Sequence, residues 1–301
     1  MAKIKSYDSL SALYSDNEVA KDIQQEIDFT IHRMQDVHAK PVQSPVFRAN
    51  YFSFILVKSG KSYYTIDSHK FEVGPQTLYF TNPGHLKSFG IEEVVHGYII
   101  TTTERFLKEN LNNDVFGEFQ FLLSEIVPPT KLSTEQTGRL LNFCEQIETA
   151  YNSNSQLQKK ILSSLFVVYL LNIKEILMAN EKFVIELDRD SEIAQQFKKD
   201  IERVLRSGSI GQDDLKVSAF AKAQSLHPAY FSTVIKAKTG YSASHWINKK
   251  MIEESKALLK NTSQPIKSIA YQMGYSEPTH FTKFFKKATQ MTPRQYKNQH
   301  S

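Results

Sequence analysis

One stretch near the C-terminus, residues 265–296, constrains the fold of this chain more than any other. Its apolar residues fall in two runs, each spaced by three or four positions as on one face of a helix. The runs are Ile266, Ile269, Ala270 and Met273, and Phe281, Phe284, Phe285 and Ala288. Gly274 lies between them where a helix C-terminus favours positive φ, and Ser276 lies where the next helix favours a capping hydroxyl. The pattern predicts two short amphipathic helices joined by a tight turn.

Such a pair of helices is either a helix-turn-helix, whose second helix commonly enters the DNA major groove, or an ordinary helical hairpin. The exposed face of the second predicted helix, residues 277–288, distinguishes the two. That face carries hydroxyls, an imidazole and lysines without a carboxylate: Thr279, His280, Thr282, Lys283, Lys286 and Lys287. Because DNA is a polyanion, such a face favours a DNA-reading helix.

The same residues resemble a known family. The sequence I-A-Y-Q-M-G-Y-S-E-P-T-H-F-T-K-F-F-K-K, followed by T-P-R-Q-Y, is similar to the C-terminal signature of the AraC-type (AraC/XylS) transcription regulators. That signature combines an I-A-x-x-x-G-[FY] helix, a spaced aromatic residue, an F-K step and a closing S/T-P-x-x-Y/F. Two residues depart from the family pattern. Gln290 stands where the family usually has Gly, and Met251 stands where an Arg usually opens the preceding helix.

A similar module precedes this one in the chain. Residues 215–240 copy the spacing, with Ser225 at the turn and His227 at the usual capping position. In both modules, we predict that residues of the second helix that point away from its apolar face contact DNA. These are Ala229, Tyr230, Ser232, Thr233 and Lys236 in the first module, and Thr279, His280, Thr282, Lys283 and Lys287 in the second.

The segment between the modules, residues 243–260, is predicted to be a single helix. At 1.5 Å per residue it spans ~27 Å, slightly less than the ~34 Å between successive major-groove faces of DNA. One chain can therefore present two recognition helices to adjacent turns of one DNA face.

The N-terminal half has a different pattern. Short runs rich in aromatic and β-branched residues are separated by turn signals such as Gly74-Pro75 and Asn82-Pro83-Gly84. The runs are residues 51–57, 62–67, 70–73, 77–81 and 94–101. Many short strands at close spacing indicate a β-sandwich or β-barrel.

The order of these strands and turns resembles the cupin-like effector domain of the same regulators, which implies a small-molecule effector. Cupin enzymes bind a metal through three His and one Glu in two motifs, and here His85 alone matches a ligand position. We therefore expect no metal site. His85 is interpreted either as a loop residue at a strand end or as a ligand-binding group at the mouth of the barrel, where small-molecule sites tend to lie.

Two longer helices are predicted next, over residues 133–151 and 156–178. Ser133 and Gln136 fit a capping box at the start of the first helix. The second helix carries an apolar stripe of Leu157, Ile161, Leu165 and Val168. The family resemblance implies that these helices pack on the barrel and that one forms a dimer coiled coil, and plain packing within the domain is the alternative. We predict a homodimer.

Charge is divided unevenly along the chain. Residues 191–301 hold 18 Lys and Arg against 8 Asp and Glu, whereas residues 1–190 hold 19 against 24. The basic part coincides with the two modules, which favours DNA as the partner. The predicted fold is multidomain: an N-terminal cupin-like β-barrel with packed helices (α+β) in residues 1–180, a charged linker in 181–191, and a C-terminal all-α DNA-binding domain with two helix-turn-helix modules in 192–301.

Other features limit the remaining function classes. The N-terminus M-A-K-I-K-S-Y-D lacks the apolar run of a signal peptide. The longest apolar stretch, residues 161–171, is shorter than the ~20 residues of a membrane-spanning helix. The single cysteine, Cys144, excludes an intrachain disulfide. We therefore expect a cytoplasmic protein without membrane association.

The sequence thus predicts a sequence-specific DNA-binding transcription regulator that is not an enzyme and has no catalytic residues, metal or cofactor. Its expected partners are double-stranded DNA, a small-molecule effector and a second copy of the chain, with RNA polymerase as a further candidate. Two alternatives remain: a regulator without a ligand whose barrel only dimerises, and a cupin metalloenzyme fused to a DNA-binding tail. The missing metal-ligand spacing speaks against the metalloenzyme.

Overall fold

The computed structural model of the chain describes residues 5–7, 27–67, 69–111, 115–124, 126–179, 189–207, 210–211 and 213–300. The chain divides into two compact units. The sheet unit comprises Met1–Phe106 and Ile126–Glu186, and the helical unit comprises Leu107–Glu125 and Leu187–Ser301.

The described strands form one sheet of nine strands. They are β1 (Lys5–Tyr7), β2 (Phe29–Arg33), β3 (Val42–Gln43), β4 (Phe47–Ala49), β5 (Phe52–Ile66), β6 (His69–Val73), β7 (Thr77–Thr81), β8 (Leu86–Thr102) and β9 (Thr130–Lys131). Their order is β1-β4-β8-β5-β7-β9, with β2 and β3 also paired to β8, and β6 to β5. The pairing of β1 with β4 is parallel, and the other pairings between described strands are antiparallel.

The described helices follow and interrupt these strands. They are α1 (Met34–Val37), α2 (Glu104–Asn110), α3 (Val115–Glu118), a 3-10 turn (Gln120–Leu123), α4 (Thr134–Tyr151), α5 (Gln158–Ala179), α6 (Arg189–Arg206), α7 (Val217–Ala223), α8 (Pro228–Thr239), α9 (Ala243–Asn261), α10 (Ile266–Gln272), α11 (Pro278–Thr289) and α12 (Pro293–His300). The prediction of a strand-rich N-terminal region followed by an all-helical C-terminal region is confirmed.

The sheet is open over the part of the chain that the structure describes. The strands at the two ends of its order, β1 and β9, are three and two residues long and do not pair with each other. Such short strands offer few backbone groups for a closing ladder. The strand-rich domain is therefore present, whereas a closed cupin barrel is not found among the described strands.

The long strand β5 bends where the sequence predicted a break between two strands. It runs unbroken through residues 58–61. Gly60 adopts φ +102° there, and a Cβ atom at this position would meet the carbonyl oxygen of Val94 at 2.4 Å. The register between β5 and β8 shifts on both sides of this glycine, between Val57 and Ser62. These irregularities are bulges, which bend a strand without reversing it, so both halves of β5 stay paired with β8.

Helices α4 and α5 complete the sheet unit. The predicted capping box is confirmed: the Ser133 hydroxyl accepts from the Gln136 backbone N–H at 3.1 Å, and the Gln136 side chain accepts from the Ser133 N–H at 2.9 Å. One face of α5 inserts aromatic rings into the core, with Phe166 5.6 Å from Phe54 and 5.1 Å from Phe29. These contacts show why the inner face of α5 is apolar.

Among the described helices, α5 has the length and composition to cross a membrane, with 22 residues and a mean hydropathy of 1.8. The expectation that the longest apolar stretch is too short for a span, based on residues 161–171, is therefore wrong by length. The helix continues to Ala179 because Ile173 and Ile176 extend its buried face. A core helix meets the same criteria, and Leu162, Phe166 and Leu170 are buried within the sheet unit.

The helical unit has its own aromatic core. Phe197 of α6 packs edge-on against Phe220 of α7 and Phe231 of α8, at centroid distances of 5.3 Å and 5.2 Å. Trp246 of α9 and Phe281 of α11 are buried in the same cluster. Helices of both predicted modules therefore share one core.

A buried ion cluster, composed of Lys108, Glu202, Lys250 and Glu254, lies beside this core. The Lys250 Nζ lies 2.6 Å from a carboxylate oxygen of Glu202. The Lys108 Nζ lies 3.1 Å from Glu254 and 3.4 Å from Glu202. Both ammonium groups also face the ring of Phe116, at 5.5 Å and 4.6 Å from its centroid. The ion cluster joins Leu107–Glu125 to the C-terminal helices.

The ion cluster links an earlier segment of the chain to the helical unit. The sequence assigns residues 107–125 to an N-terminal domain of residues 1–180, whereas they group here with the helical unit, because Lys108 pairs with carboxylates of α6 and α9. Residues 181–188 of the predicted linker lie outside the described residues, and 189–191 begin α6. The helical unit is therefore discontinuous in sequence.

The ionisation of the Glu202 carboxylate makes the stability of the helical unit depend on pH. Burial alone would raise its pKa, but the ammonium groups of Lys108 and Lys250 outweigh burial and lower the pKa to about 2. A carboxylate whose pKa is lowered on folding stabilises the fold above its unfolded pKa of ~4.3, and this contribution is lost as pH falls towards the folded value. The helical unit should therefore lose stability between about pH 4.3 and 2.

We expect Lys108→Met to lower the free energy of unfolding of the helical unit by ~3–5 kcal/mol, because buried Glu254 would lose its ammonium partner and Glu202 would lose one of its two. The single tryptophan, Trp246, is buried in this unit, so its fluorescence during urea unfolding reports on the unit directly. Lys216→Met is the matched control, since Lys216 is exposed and pairs with exposed Asp213. The control should change stability by less than ~1 kcal/mol. Equal stability of both variants would contradict a structural role for the ion cluster.

Candidate nucleic-acid interface

Two helix-turn-helix modules occupy the helical unit, one formed by α7 and α8 and the other by α10 and α11. Their turns close through equivalent backbone hydrogen bonds, from Leu226 N–H to the Ala221 carbonyl at 2.9 Å and from Tyr275 N–H to the Ala270 carbonyl at 3.0 Å. The turn residue before each donor has a positive φ, 56° at Ser225 and 82° at Gly274. The predicted correspondence between the modules is confirmed in their backbone geometry.

The inner faces of both recognition helices are anchored by matching residues. Phe231 of α8 and Phe281 of α11 are fully buried, as are Ile235 and Phe285 one turn later. Phe284 was predicted to be core but is only half-buried, because it lies at the edge of the cluster beside Tyr275, with ring centroids 5.7 Å apart.

The two recognition helices begin differently. His227 is the N-cap of α8, and its Nδ1 accepts from the Ala229 N–H at 3.3 Å. In α11 the N-cap is Glu277, without a side-chain hydrogen bond. The prediction that Ser276 caps this helix is therefore wrong. Pro278 explains the shift, since proline fits the first helical position and places the cap immediately before it.

The outer face of α11 carries the residues predicted to contact DNA. Thr279, His280, Lys283 and Lys287 are exposed. Thr282 is half-buried, and its hydroxyl donates to the Pro278 carbonyl at 3.0 Å. The two lysines, the imidazole and the Thr279 hydroxyl are thus groups of this face that can donate hydrogen bonds to acceptors outside the helix.

On the outer face of α8, two hydroxyl groups donate hydrogen bonds within the helix itself. Ala229, Tyr230, Thr233 and Lys236 are exposed and Ser232 is half-buried. The hydroxyls of Ser232 and Thr233 donate to carbonyls one turn back in the helix, at 2.8 Å and 3.0 Å. Both oxygen atoms can still accept hydrogen bonds. The face therefore offers hydroxyl acceptors, with Lys236 as its cation.

Asp190 of α6 contacts this face, which the sequence did not indicate. The Tyr230 hydroxyl donates to Asp190 Oδ1 at 3.0 Å, and this hydrogen bond raises the pKa of Tyr230. A donor engaged with a carboxylate must exchange that partner before it can bind a base. Asp190 and Tyr230 are 40 residues apart in sequence, and no local spacing signals such a pair.

Helix α9 connects the modules as a continuous helix of 19 residues. Ser242 caps it by accepting from the His245 N–H at 3.2 Å. Met251, which replaces the usual Arg of the family pattern, is buried in the shared core. The side chain at this position therefore packs inside the unit and does not reach a phosphate.

The two recognition helices end with the same motif. The hydroxyl of Thr239 lies 2.6 Å from the Ile235 carbonyl and accepts from the Tyr241 N–H at 3.3 Å. Thr289 repeats both contacts with Phe285 and Met291. The C-cap after α8 is Gly240 at φ 80°, whereas the C-cap after α11 is Gln290 at φ 61°.

The left-handed conformation of Gln290 makes a direct test of this module possible. A side chain in this region costs ~1–2 kcal/mol relative to glycine. Gln290→Gly should therefore raise the free energy of unfolding of the helical unit by ~1 kcal/mol. Ala288→Gly, an exposed helical position two residues earlier, is the matched control and should lower it by ~1 kcal/mol. Trp246 fluorescence in urea measures both, and a loss of stability in Gln290→Gly would contradict this cap assignment.

His85, the predicted ligand-binding residue, is buried in the sheet unit, with its Nδ1 2.7 Å from a carboxylate oxygen of Asp67. The other oxygen of Asp67 accepts from the Leu86 N–H at 3.1 Å. The sheet unit contains a partly open cavity of about 260 Å³, and His85 is not among its described lining residues. The geometry thus favours the interpretation of His85 as a structural residue at a strand end.

Metal binding has no support in the described part of the chain. No three His, Cys, Asp or Glu side chains cluster there in a way that could hold a metal ion. Cys144 is buried in α4, and burial raises the pKa of its thiol. A thiol with a raised pKa is a poor nucleophile, as expected of a core residue.

Comparison with known proteins identifies the region that carries this geometry. Residues 220–299 match a family model for a helix-turn-helix domain. The regulatory protein PocR of Salmonella typhimurium is 33% identical over 87 residues, which cover 29% of this chain and 29% of PocR. The arabinose operon regulatory protein of Escherichia coli is 24% identical over 91 residues, which cover 30% of this chain and 31% of that protein. Each match spans less than a third of the relative's own length.

A solved structure is similar in the same region. The C-terminal domain of AraT, a response regulator from Geobacillus stearothermophilus, is 30% identical and covers 37% of this chain and 88% of its own, with a TM-score of 0.33. The matches in sequence, the two paired modules and the basic charge all lie in the same region of the chain. The C-terminal region of this chain therefore carries a helix-turn-helix domain of the AraC type.

Proposed function

We propose that this protein is a sequence-specific transcription regulator in which α11, assisted by α8, reads the DNA major groove. One observation carries the proposal. Each recognition helix is fixed by a fully buried phenylalanine, Phe231 or Phe281, while its opposite face is exposed and lacks carboxylates of its own. This arrangement presents donors and acceptors to base edges in a defined orientation.

The exposed groups divide by their chemistry. Lys283 and His280 lie in the N-terminal half of α11, the part of a recognition helix that meets base edges. As hydrogen-bond donors they suit the O6 and N7 acceptors of guanine. Lys287, one turn further along, suits phosphate, which holds the protein on any sequence.

We expect Lys283→Ala and His280→Ala to weaken binding to a selected target by ~1–3 kcal/mol while leaving binding to random DNA nearly unchanged. Lys287→Ala is the matched control and should weaken target and random DNA alike. A fluorescence competition assay at fixed salt measures the ratio of the two affinities. If neither Lys283→Ala nor His280→Ala changes that ratio, α11 does not read the sequence.

The opposite face of α11 gives a contrasting expectation. Phe281→Ala should lower the free energy of unfolding of the helical unit by ~3–5 kcal/mol and abolish DNA binding through unfolding. Lys283→Ala should leave the Trp246 unfolding curve unchanged, because Lys283 is exposed. Replacement of the half-buried Phe284 by Ala should lower the free energy of unfolding by less than Phe281→Ala does. Loss of stability in Lys283→Ala together with normal stability in Phe281→Ala would reverse the assigned faces.

We also propose that a small molecule bound in the sheet unit controls this activity, and that the protein acts in the cytoplasm, with RNA polymerase as a further partner. The partly open cavity of about 260 Å³ in the sheet unit supports the effector role. The alternative is a sheet unit that only dimerises. The DNA-binding part would comprise residues 192–301 together with the segment from Leu107 that completes the ion cluster.

The homodimer is proposed to form through the outer face of α5. Leu157, which directly precedes α5, and Ile161, Val168, Leu171 and Met178 of α5 are 39–76% exposed. Together with Ser164 and Glu175, these residues are separated alternately by four and three positions, which is the spacing of a coiled-coil seam. Leu165, which the sequence grouped with this stripe, is half-buried and packs inward. Exposed apolar faces of this kind commonly mark interaction sites.

Light scattering at micromolar concentration should give a dimer for the wild type and a monomer for the double variant Ile161→Asp, Val168→Asp, because two carboxylates would be desolvated in the seam of each chain. Lys159→Asp is the control and should remain dimeric, because Lys159 is exposed and lies on the opposite side of the same helix. A monomeric wild type, or a double variant that stays dimeric, would contradict this interface.

A further inference from the structure

The cavity of the sheet unit has walls of unusual composition. Its volume is about 260 Å³, near the lower end of the ~300–1,000 Å³ that ligand pockets span. Aromatic rings line much of it: Tyr7, Phe47, Tyr51, Tyr63, Tyr64, Tyr79 and Phe89. Its described lining residues include one lysine, Lys87, and no Asp or Glu. Aromatic walls and a cation without lining carboxylates suit a ligand that is apolar over most of its surface and negatively charged at one point.

The strand register separates a polar end from an apolar wall. Ser53 of β5 lies opposite Thr81 of β7 and Thr101 of β8, which forms a row of hydroxyl groups across three strands. The next row on the same face has Ile55 of β5 opposite Tyr79 of β7 and Ile99 of β8. All six residues line the cavity. Residues two apart along a strand are separated by ~6.6 Å, so the hydroxyl row and the apolar row are neighbours.

Lys87 lies at the hydroxyl row. Its side chain is almost fully buried, with the residue 6% exposed. The Nζ donates to the Thr81 hydroxyl at 2.9 Å and lies 5.6 Å from the centre of the Tyr51 ring. An ammonium group that is largely removed from water attracts an anion more strongly than one at the surface does. This places the charge for ligand recognition at one end of the cavity.

Two further groups can hydrogen-bond a ligand. Ser53 and Tyr79 are buried and line the cavity, and the hydroxyl of each can donate a hydrogen bond. Burial raises the pKa of Tyr79, so its hydroxyl stays protonated and can donate. The ring of Tyr79 stacks on Tyr64 at 4.3 Å, and the Tyr64 hydroxyl donates to the Val127 carbonyl at 3.2 Å. This chain of contacts holds the apolar wall in place.

We propose that the cavity binds a small amphipathic carboxylate. The carboxylate group lies at Lys87 and the hydroxyl row, and the aliphatic or aromatic body packs against Tyr79, Ile55 and Ile99. A sugar would leave its hydroxyls unpaired against this apolar wall, and a phosphate ester would place two charges beside a single lining lysine. The site defines the chemical class of the proposed effector. Only the claim that this ligand regulates the protein rests on the proposed function.

The test measures binding to the full chain by calorimetry without DNA. The probes are 3-phenylpropionate and octanoate, and the uncharged controls are 3-phenylpropanol and octanol, which keep the same bodies. We expect each carboxylate to bind about ten-fold or more tightly than its alcohol, since a hydrogen-bonded charge is worth more than a neutral one. Lys87→Met should remove this difference, and Lys58→Met, at an exposed lysine of β5 outside the cavity lining, should retain it.

Further variants separate ligand recognition from folding. Lys87→Arg keeps the cation and should keep the preference for carboxylates. Tyr79→Phe removes one hydrogen-bond donor. It should weaken the binding of the carboxylates several-fold and change the binding of the alcohols by no more than about two-fold. Absence of binding by both carboxylates, equal binding of acids and alcohols, or an unchanged preference in folded Lys87→Met would each overturn the inference. Because DNA binding is measured separately, a chain that binds DNA but no carboxylate refutes this site and not the DNA-binding function.

Discussion

The burial of one phenylalanine in each recognition helix is the constraint on which the DNA-binding geometry depends. Phe231 and Phe281 occupy the same position in α8 and α11 and are completely buried in one shared core. Because a helix is rigid, fixing the rotation of one face fixes the opposite face as well. The exposed residues of α11 therefore owe their orientation to side chains that never meet DNA.

The helical unit is held together by charges as well as by apolar packing. Lys108 precedes most of this unit in sequence, yet it lies between the carboxylates of Glu202 and Glu254. A segment that begins at residue 190 lacks this ammonium group and the Phe116 ring beside it. The helical unit is thus discontinuous in sequence, and an early segment of the chain neutralises charges that the later helices bury.

Much of this architecture could be predicted from the sequence, because it depends on local spacing. The two modules, the connecting helix, the capping box at Ser133 and the strand-rich N-terminal half all follow from periodicity and turn residues. Two errors of the prediction also arise from single residues. Pro278 moved the cap of α11 by one residue, from Ser276 to Glu277, and the bulge at Gly60 joined two predicted strands into one.

The remaining features depend on contacts between distant residues. The partners of Lys108 lie 94 and 146 positions away, and Asp190 reaches Tyr230 across 40 positions. The cavity draws its lining from β1 to β5, α1, β7 and β8, and its lysine follows no recognisable motif. The apolar stripe of α5 was visible in the sequence, but which residues are exposed depends on how the helix packs. Only the folded chain defines these sites.

The most direct test of the DNA-reading role of α11 is selection of bound sequences from a random DNA library by the wild type and by Lys283→Ala. The wild type should enrich a motif that contains guanine at the position that Lys283 meets. Lys283→Ala should enrich the same motif with the preference relaxed at that position alone. An identical motif for both proteins, or no enrichment by the wild type, would contradict the account.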